Sequence, residues 1–539
     1  MNFHRRGVLW PMVFASVFFL VCVVVFVAYP IGFWSSTDNE AVGLGSAVNI
    51  AYRLVDFRIY PDESMAGHPG VLSSYLNWLA LALAGYPFPR AGQDFFRAVI
   101  DHVDDYQRTS VWVAAFAGAT GVYLFARTAL KLIPPGTTAA GLVIWMVSTP
   151  ATILFFMSPG IESVAILTNA LFLAILVRLA CERDIDSTVV FLAGCVGAFA
   201  YLNKLSYIYI PLALASAIVC KSVFRRIGWS NGLSHIALFI FTFVAVIVAV
   251  GDLIIGWSTF RKLLHFHLSV IHGSGLYGAG DQAIVSEQGI WHAITSIWAE
   301  AAYAVPLAMI AGAVLCIAGL ITGLKNPQKD GVAVVGIGVG VAALLSALIV
   351  VKHYALHYTA GVSAALPACV VAGYLFAQAW GYRFRSAPAV AATCAAVLLM
   401  AYPVLTSVRF ILASRANSTR LAAEDMKDIT ALTSGMTRVI DFAYKTQFSQ
   451  FGEGVVIGCA GVPRLTQQYL ESKRGVTNSI IEHLVTEDVG AYVIDKNYFL
   501  DTEAVKKAPN VDLLGPRPVR YRADDRLIEL RTVYLLMGK

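Results

Sequence analysis

Charge is what this chain has least of. Only 14% of its 539 residues are Asp, Glu, Lys or Arg, where a soluble domain carries about a quarter. That deficit excludes a single soluble globular domain, and an apolar share of 58% excludes a disordered chain. The net charge is a modest +6 with no polybasic tail, which argues against a nucleic-acid partner. Cysteine is also scarce. Of eight, Cys22, Cys195, Cys220, Cys316, Cys369 and Cys394 lie in or at the edge of apolar stretches, Cys181 follows one, and Cys459 stands alone in the polar C-terminal part. With no CxxC and no Cys/His cluster, neither a disulfide framework nor a structural zinc site is supported. That C-terminal part carries no Walker loop, dinucleotide fingerprint or nucleophile elbow, and no internal repeat or low-complexity tract suggests a solenoid.

The little charge there is falls unevenly. After Ser414, 33 of 125 residues are charged, against 41 of the 414 before it. The pattern reads as a mainly α polytopic membrane region, residues 1–411, followed by a small α/β soluble domain, 412–539. The first apolar run, Val8 to Tyr29 after Arg5 and Arg6, is as long as a bilayer-spanning helix and too long for a cleaved signal core, so it is expected to remain as the first span. Eleven stretches reach spanning length: 8–30, 109–130, 137–158, 163–180, 187–202, 205–221, 234–256, 294–323, 331–351, 354–380 and 388–411. Val71–Phe88 is apolar but interrupted by Asn77, Gly85 and Pro87. Leaving it out of the membrane, with the N-terminus in the cytoplasm, puts 13 Lys and Arg in short inner loops and four in short outer ones. Counting it as a span reverses that bias, so the positive-inside rule selects eleven. Residues 31–108 then form one long outer loop with juxtamembrane helices, 71–88 lies at the interface, and the C-terminal domain is extracytoplasmic. In that domain Gly454–Gly461, Val489–Asp495 and Leu527–Leu536 are the expected strands, with a helix from Pro463 to about Lys473. The plasma membrane is the expected location, since no retention signal is present.

On this topology the polar residues that bilayer logic leaves unexplained gather on the outer face. Ser36-Thr37-Asp38-Asn39-Glu40 follows the first span: its carboxylates suit a general base and a hydroxyl or metal contact, and its Ser, Thr and Asp equally suit a helix cap. Gly67-His68-Pro69-Gly70 opens the 71–88 helix, and Arg108 sits at the lip of the second span. Glu162 is the only ionisable residue between Lys131 and Arg178; so near a membrane it needs a reason, catalytic or interfacial. Asn203-Lys204 occupies a tight outer turn. Lys352-His353, with His357, lies at the junction of the ninth and tenth spans. An outer lysine runs against the positive-inside bias; it either binds a phosphate as a point charge or snorkels to headgroups. Arg261–Gly280, with His265, His267, His272 and a glycine run, reads as a substrate loop, because histidines at i and i+2 do not share a helix face.

Carboxylates, lysines and histidines on the outer side, in a hydrophobic surround, suit transfer from a lipid-anchored donor. ATP and nucleotide sugars are cytosolic, whereas a polyprenyl-phosphate sugar keeps its tail in lipid and offers its head outside. A carboxylate takes the acceptor proton, and Lys204 or Lys352 stabilises the departing phosphate.

The ordered motifs Thr37-Asp38-Asn39-Glu40, Gly67-His68-Pro69-Gly70, Pro159-Gly160-Ile161-Glu162, Asn203-Lys204 and Lys352-His353-Tyr354 to His357-Tyr358 resemble those of the membrane glycosyltransferases of the C superfamily (GT-C). The branch includes aminoarabinose transferases and protein O-mannosyltransferases, and the resemblance covers about residues 8–411. It implies an outward-facing inverting active site with Asp38 as the acceptor-activating base, Glu162 at the second acidic position, and Lys204 near the donor phosphate. His68, Arg108, Lys352, His353 and His357 are the other expected donor- or substrate-binding residues, and Glu40 is a supporting acid. The usual adjacent Asp-Glu pair is here Asp-Asn-Glu, and the second acidic position, often Asp, is Glu. No cofactor is assigned; a divalent metal ion is left open, with Asp38 and Glu162 as its ligands if one binds. The partners implied are a polyprenyl-phosphate sugar donor, membrane lipids, and a lipid, glycan or protein acceptor that the sequence does not specify. The alternative is a secondary transporter, or a lipid- or polysaccharide-handling membrane protein without catalysis. A transporter predicts an inverted repeat and midplane ionisable residues; no such repeat is present, and Asp252 and Glu300 lie toward outer helix ends.

Overall fold

The structure, a computed structural model, describes residues 3–28, 71–89, 95–155, 161–255 except 183, 287–382 except 353, 387–440, 476–478, 489–495 and 526–537 except 532, with isolated positions in 44–51 and 261–268. The helices are α1 (Phe3–Ala28), α2 (Val71–Leu83), α3 (Phe95–Asp101), α4 (Val103–Ala129), α5 (Pro135–Val147), α6 (Pro150–Phe155), α7 (Ala165–Cys181), α8 (Ser187–Asn203), α9 (Tyr209–Phe224), α10 (Trp229–Ile255), α11 (Glu287–Ala299), α12 (Ala304–Lys325), α13 (Asp330–Lys352), α14 (Thr359–Ala379) and α15 (Ala387–Leu432). Short 3-10 turns at Ile161–Val164, Leu205–Ile208 and Leu356–Tyr358 enter α7, α9 and α14.

Within the described residues each expected span falls on one helix or on two. Among the described residues eight helices are long and apolar enough to cross a membrane, in α1, α4, α9, α10, α12, α13, α14 and α15. The other three positions hold shorter apolar helices, Pro135–Val147, Ala165–Cys181 and Ser187–Asn203. The chain is a mainly α, multi-pass membrane protein. Helix α2 has 13 residues, about 20 Å, less than the roughly 30 Å hydrocarbon core. It buries Ser74, Asn77, Ala80 and Leu81 and exposes Tyr75, Leu79 and Leu83, an apolar stripe at a four-residue spacing.

Two expected spans are divided. The 294–323 stretch is α11 and α12, separated at Glu300–Tyr303, where Ala301 takes φ 53°; hydropathy is blind to a backbone turn inside an apolar run. The 137–158 stretch breaks at Ser148-Thr149, ahead of Pro150, whose ring disfavours helix in the residue before it. The last span does not stop at 411. Helix α15 runs 46 residues, about 69 Å, and so extends well past any bilayer.

The chain divides into two compact units, one comprising 1–24, 66–73 and 114–409, the other 25–65, 74–113 and 410–539. In the first, the helices approach closely through small residues. A Cβ on Gly312 would lie 2.8 Å from the Gly340 carbonyl, and one on Gly340 would lie 2.7 Å from Cys316 Sγ, so α12 and α13 touch backbone to backbone. One end of this bundle is tied by basic residues. Lys221, fully buried, donates to the carbonyls of Leu179 and Glu182 at the C-terminus of α7, satisfying groups a helix end leaves orphaned. Arg225 forks onto Asp330 at 2.5 and 3.0 Å. Helix α8 begins there, capped by Asp186, whose carboxylate accepts from the Thr188 N–H at 2.9 Å.

In the second unit, Phe95, Phe96, Val99, Ile100 and Tyr106 pack with Leu44, Val48, Ala80 and Leu81, and the Tyr106 hydroxyl donates to Asn77 at 2.9 Å. Its C-terminal part is a five-stranded sheet in the order β2-β1-β3-β5-β4: β1 (Thr437–Ile440), β2 (Val476–Asn478), β3 (Val489–Asp495), β4 (Arg526–Glu529) and β5 (Val533–Met537). Strands β1, β2 and β3 are parallel, whereas β3–β5 and β4–β5 are antiparallel. The expected strand Val489–Asp495 is β3. Leu527–Leu536 is a hairpin rather than one strand, β4 and β5 being antiparallel neighbours; Gly454–Gly461 and the helix after Pro463 lie outside the described residues. Ile429 of α15 joins Ala491, Val493, Val533, Leu535 and Met537 in the core. Arg531 locks the hairpin to α15 through Asp425 and Asp428, at 3.0 and 2.8 Å.

Candidate functional site

The first unit brings three of the singled-out turns together at the end of the bundle opposite Lys221. Helix α8 stops at Asn203 because Lys204 is extended (φ −159°, ψ 136°). The Lys204 backbone joins both sides of that break, its N–H bonded to Ala200 and its carbonyl accepting from Tyr207 at 2.9 Å. The same device recurs after α13, where Ala355 is extended and accepts from Tyr358 at 3.0 Å. In both, an extended residue leads into a 3-10 turn and then a helix, and the two turns meet where Lys204 lies over Tyr358.

The Lys204 ammonium donates to a Glu162 carboxylate oxygen, with both side chains almost wholly buried. It also lies over the Tyr358 ring, 4.4 Å from the centroid, within cation–π range. Tyr358 packs edge to face with His357 at 4.1 Å. Burial pushes the Glu162 carboxyl up, but the Lys204 ammonium, the His357 ring and hydrogen bonds outweigh it, and the group is held below its ordinary value.

A polar belt adjoins the pair. Tyr207 feels the Glu162 charge and meets Tyr209 ring to ring at 6.0 Å. The Tyr209 hydroxyl accepts from Asn169 at 2.9 Å and donates to the Gly361 carbonyl at 3.3 Å. Gly361 has no room for more, since a Cβ there would lie 3.0 Å from the Tyr207 ring. Thr149–Thr359 (2.7 Å) and Thr152–Ser363 (2.9 Å) bond α6 and its approach to α14. The Tyr354 hydroxyl donates to Glu300 at 2.8 Å, with His292 edge-on to Tyr354.

Of the expected site residues, Glu162, Lys204 and His357 converge here. Lys352 ends α13, half-buried, and Arg108 is exposed on α4 in the other unit. Asp38, Glu40, His68 and His353 lie outside the described residues, as does most of 261–280. Among the described residues no three His, Cys, Asp or Glu side chains group as a metal site; Glu162, the described member of the expected metal pair, spends one oxygen on Lys204. Sequence reasoning passed over Asn169, Tyr207, Tyr209 and the Glu300–Tyr354 pair. Asn169 was detectable as an amide inside a 17-residue apolar helix; the tyrosines carried no such mark, because aromatics are common in spans.

No protein-family model and no curated protein matches the chain. In three dimensions it is similar to the crystal structure of ArnT from Cupriavidus metallidurans bound to undecaprenyl phosphate, at 13% identity and a TM-score of 0.51, over 98% of this chain and 97% of that one. The fold is thus similar to that of ArnT over nearly the whole of both chains.

Proposed function

We propose that the protein is a membrane glycosyltransferase of the GT-C type, moving a sugar from a polyprenyl-phosphate donor to a hydroxyl of an extracytoplasmic acceptor with inversion at the anomeric carbon. The observation that carries the reading is the buried Glu162–Lys204 pair, with Tyr358 and His357, at one end of a bundle whose fold matches ArnT nearly end to end. A bundle built only to sit in lipid gains nothing from a buried ion pair, since well-packed apolar residues of similar volume are as stable or more so. Undecaprenyl phosphate in the ArnT structure supports a lipid phosphate as the ligand class here.

In the reaction the acceptor hydroxyl attacks the anomeric carbon, the bond from that carbon to the phosphate oxygen breaks, and the polyprenyl phosphate departs with the electron pair. Asp38 takes the acceptor proton. Lys204 has three N–H donors; one is held by Glu162, which aims the ammonium, and the others serve a phosphate oxygen. Because Glu162 already offsets the Lys204 charge, His357 and Lys352 supply further positive charge for the phosphate. Ligation of a divalent ion by Asp38 and Glu162 would compete with Lys204 for the same carboxylate. The basic residues at the Lys221–Arg225 end support reading that end as the inner one and the Glu162–Lys204 end as extracytoplasmic.

The test is binding and turnover in nanodiscs with a panel of undecaprenyl-phosphate sugars, comparing wild type with Asp38→Asn. Transfer by the wild type, lowered about 10²–10⁴-fold in the variant, is expected, since an amide does not accept the proton. Equal turnover by the two refutes Asp38 as base. No binding of any lipid phosphate refutes the transferase and leaves a transporter to be tested by flux.

A further inference from the structure

Five buried side-chain atoms among the described residues have no hydrogen-bond partner, and three of them adjoin the Glu162–Lys204 site: Asn203 Nδ2, Asn203 Oδ1 and Asn169 Oδ1. Asn203 is the residue before Lys204, closes α8, and is 1% exposed. Its whole carboxamide is orphaned, donor and acceptor alike. Asn169 shares in the same belt, donating to Ala165 and to the Tyr209 hydroxyl while its own oxygen goes unmatched. Elsewhere in this unit Thr149, Thr152, Thr359 and Ser363 bond one another and Lys221 bonds two carbonyls, and the two other unpartnered atoms, Glu182 Oε2 and His235 Nδ1, belong to residues that are only half-buried. The fold is therefore able to pair its buried polar groups and has not done so beside Lys204.

We propose that Asn203 is a substrate-contacting residue that reads hydroxyl groups of the transferred sugar, an inference that rests on the glycosyltransferase reading. The chemistry of the orphaned atoms selects the ligand class. An apolar prenyl chain satisfies neither atom. A phosphate oxygen accepts only, and so matches Nδ2 but leaves Oδ1 bare. A hydroxyl both accepts and donates, and two neighbouring hydroxyls on a sugar ring match the two ends of a carboxamide at once. The division of labour is then simple: Lys204 holds the phosphate, and the residue before it in the chain reads the sugar that the phosphate carries. The backbone at Lys204 fixes the spacing between the two, being bonded on both sides of the helix break.

The experiment uses the full-length protein in nanodiscs, as wild type, Asn203→Leu and Asn203→Met. It measures Tm without ligand, and affinity for undecaprenyl phosphate and for undecaprenyl phosphate bearing mannose, glucose or 4-amino-4-deoxyarabinose. The expected result has three parts. Both variants melt at or above the wild-type temperature, because an unpaired buried amide has been replaced by an apolar group. Both keep the wild-type affinity for the bare lipid phosphate. Both lose about tenfold of affinity for the sugar-bearing lipid that the wild type prefers. If both variants melt several degrees lower, the amide is bonded by a structural water, and the inference is overturned whatever the protein does. A wild type that prefers a sugar-bearing lipid, with variants that prefer it equally, overturns Asn203 alone. A wild type that binds no lipid phosphate, or gains nothing from the sugar, removes the recognition that Asn203 is proposed to supply.

Discussion

Removing one partner of the Glu162–Lys204 pair should cost far more than removing both. In Lys204→Met the Glu162 carboxylate is left buried and uncompensated, with side-chain exposure of only 2%; breaking a buried pair in this way costs about 3–5 kcal/mol. At about 2 °C per kcal/mol for a large domain, Tm should fall by about 6–10 °C. The double variant Glu162→Leu/Lys204→Met removes both charges and their desolvation costs together, and should recover most of that loss. The assay is thermal unfolding in one detergent at one scan rate, for wild type, both single variants and the double. The pH dependence is set by Glu162, whose folded value is depressed. Its contribution is fully present above its ordinary value of 4.5 and is lost as the pH falls through the lower folded value. The Tm difference between wild type and the double variant should therefore shift against the wild type only in acid, below about pH 4.5. A single variant that loses under about 1 kcal/mol, the range of an exposed pair, would show that water reaches the pair and would refute the argument from burial.

The stable double variant also tests function: its KM for the lipid-phosphate sugar should rise more than its KM for acceptor, and equal rises would reduce the pair to a structural tie. Gly340→Val, which forces a side chain into Cys316 and the Gly312 carbonyl, should lower Tm sharply, whereas Gly373→Ala, with nothing within 4 Å, should be nearly silent; equal effects would deny the close approach of α12 and α13. Cysteines placed at Ser36 and Ser434 should both react with an impermeant thiol reagent applied from outside. Labelling of only one overturns the eleven-span arrangement.

Much of the membrane architecture was legible in sequence because spanning is a local property. Twenty apolar residues satisfy a bilayer whatever their neighbours do, so each expected stretch holds helix, and Val489–Asp495 is a strand as expected. The misjudged features were those that composition does not register. The turn at Ala301 and the break before Pro150 lie inside apolar runs, and α15 continues past its span because a polar helix and an apolar one have the same backbone.

For the site, the sequence by itself determined which residues were unusual: an acid in an apolar turn, a lysine where positive charge is disfavoured, histidines at a helix junction. That follows from what lipid tolerates. Only the tertiary structure decided that Glu162 meets Lys204 from 42 residues away, that Tyr358 covers the ammonium, and that the Asn203 amide is buried with nothing to bond. Ion pairing and burial depend on distances between helices, and those are set by how small residues such as Gly312 and Gly340 let backbones approach, which no single stretch of sequence contains.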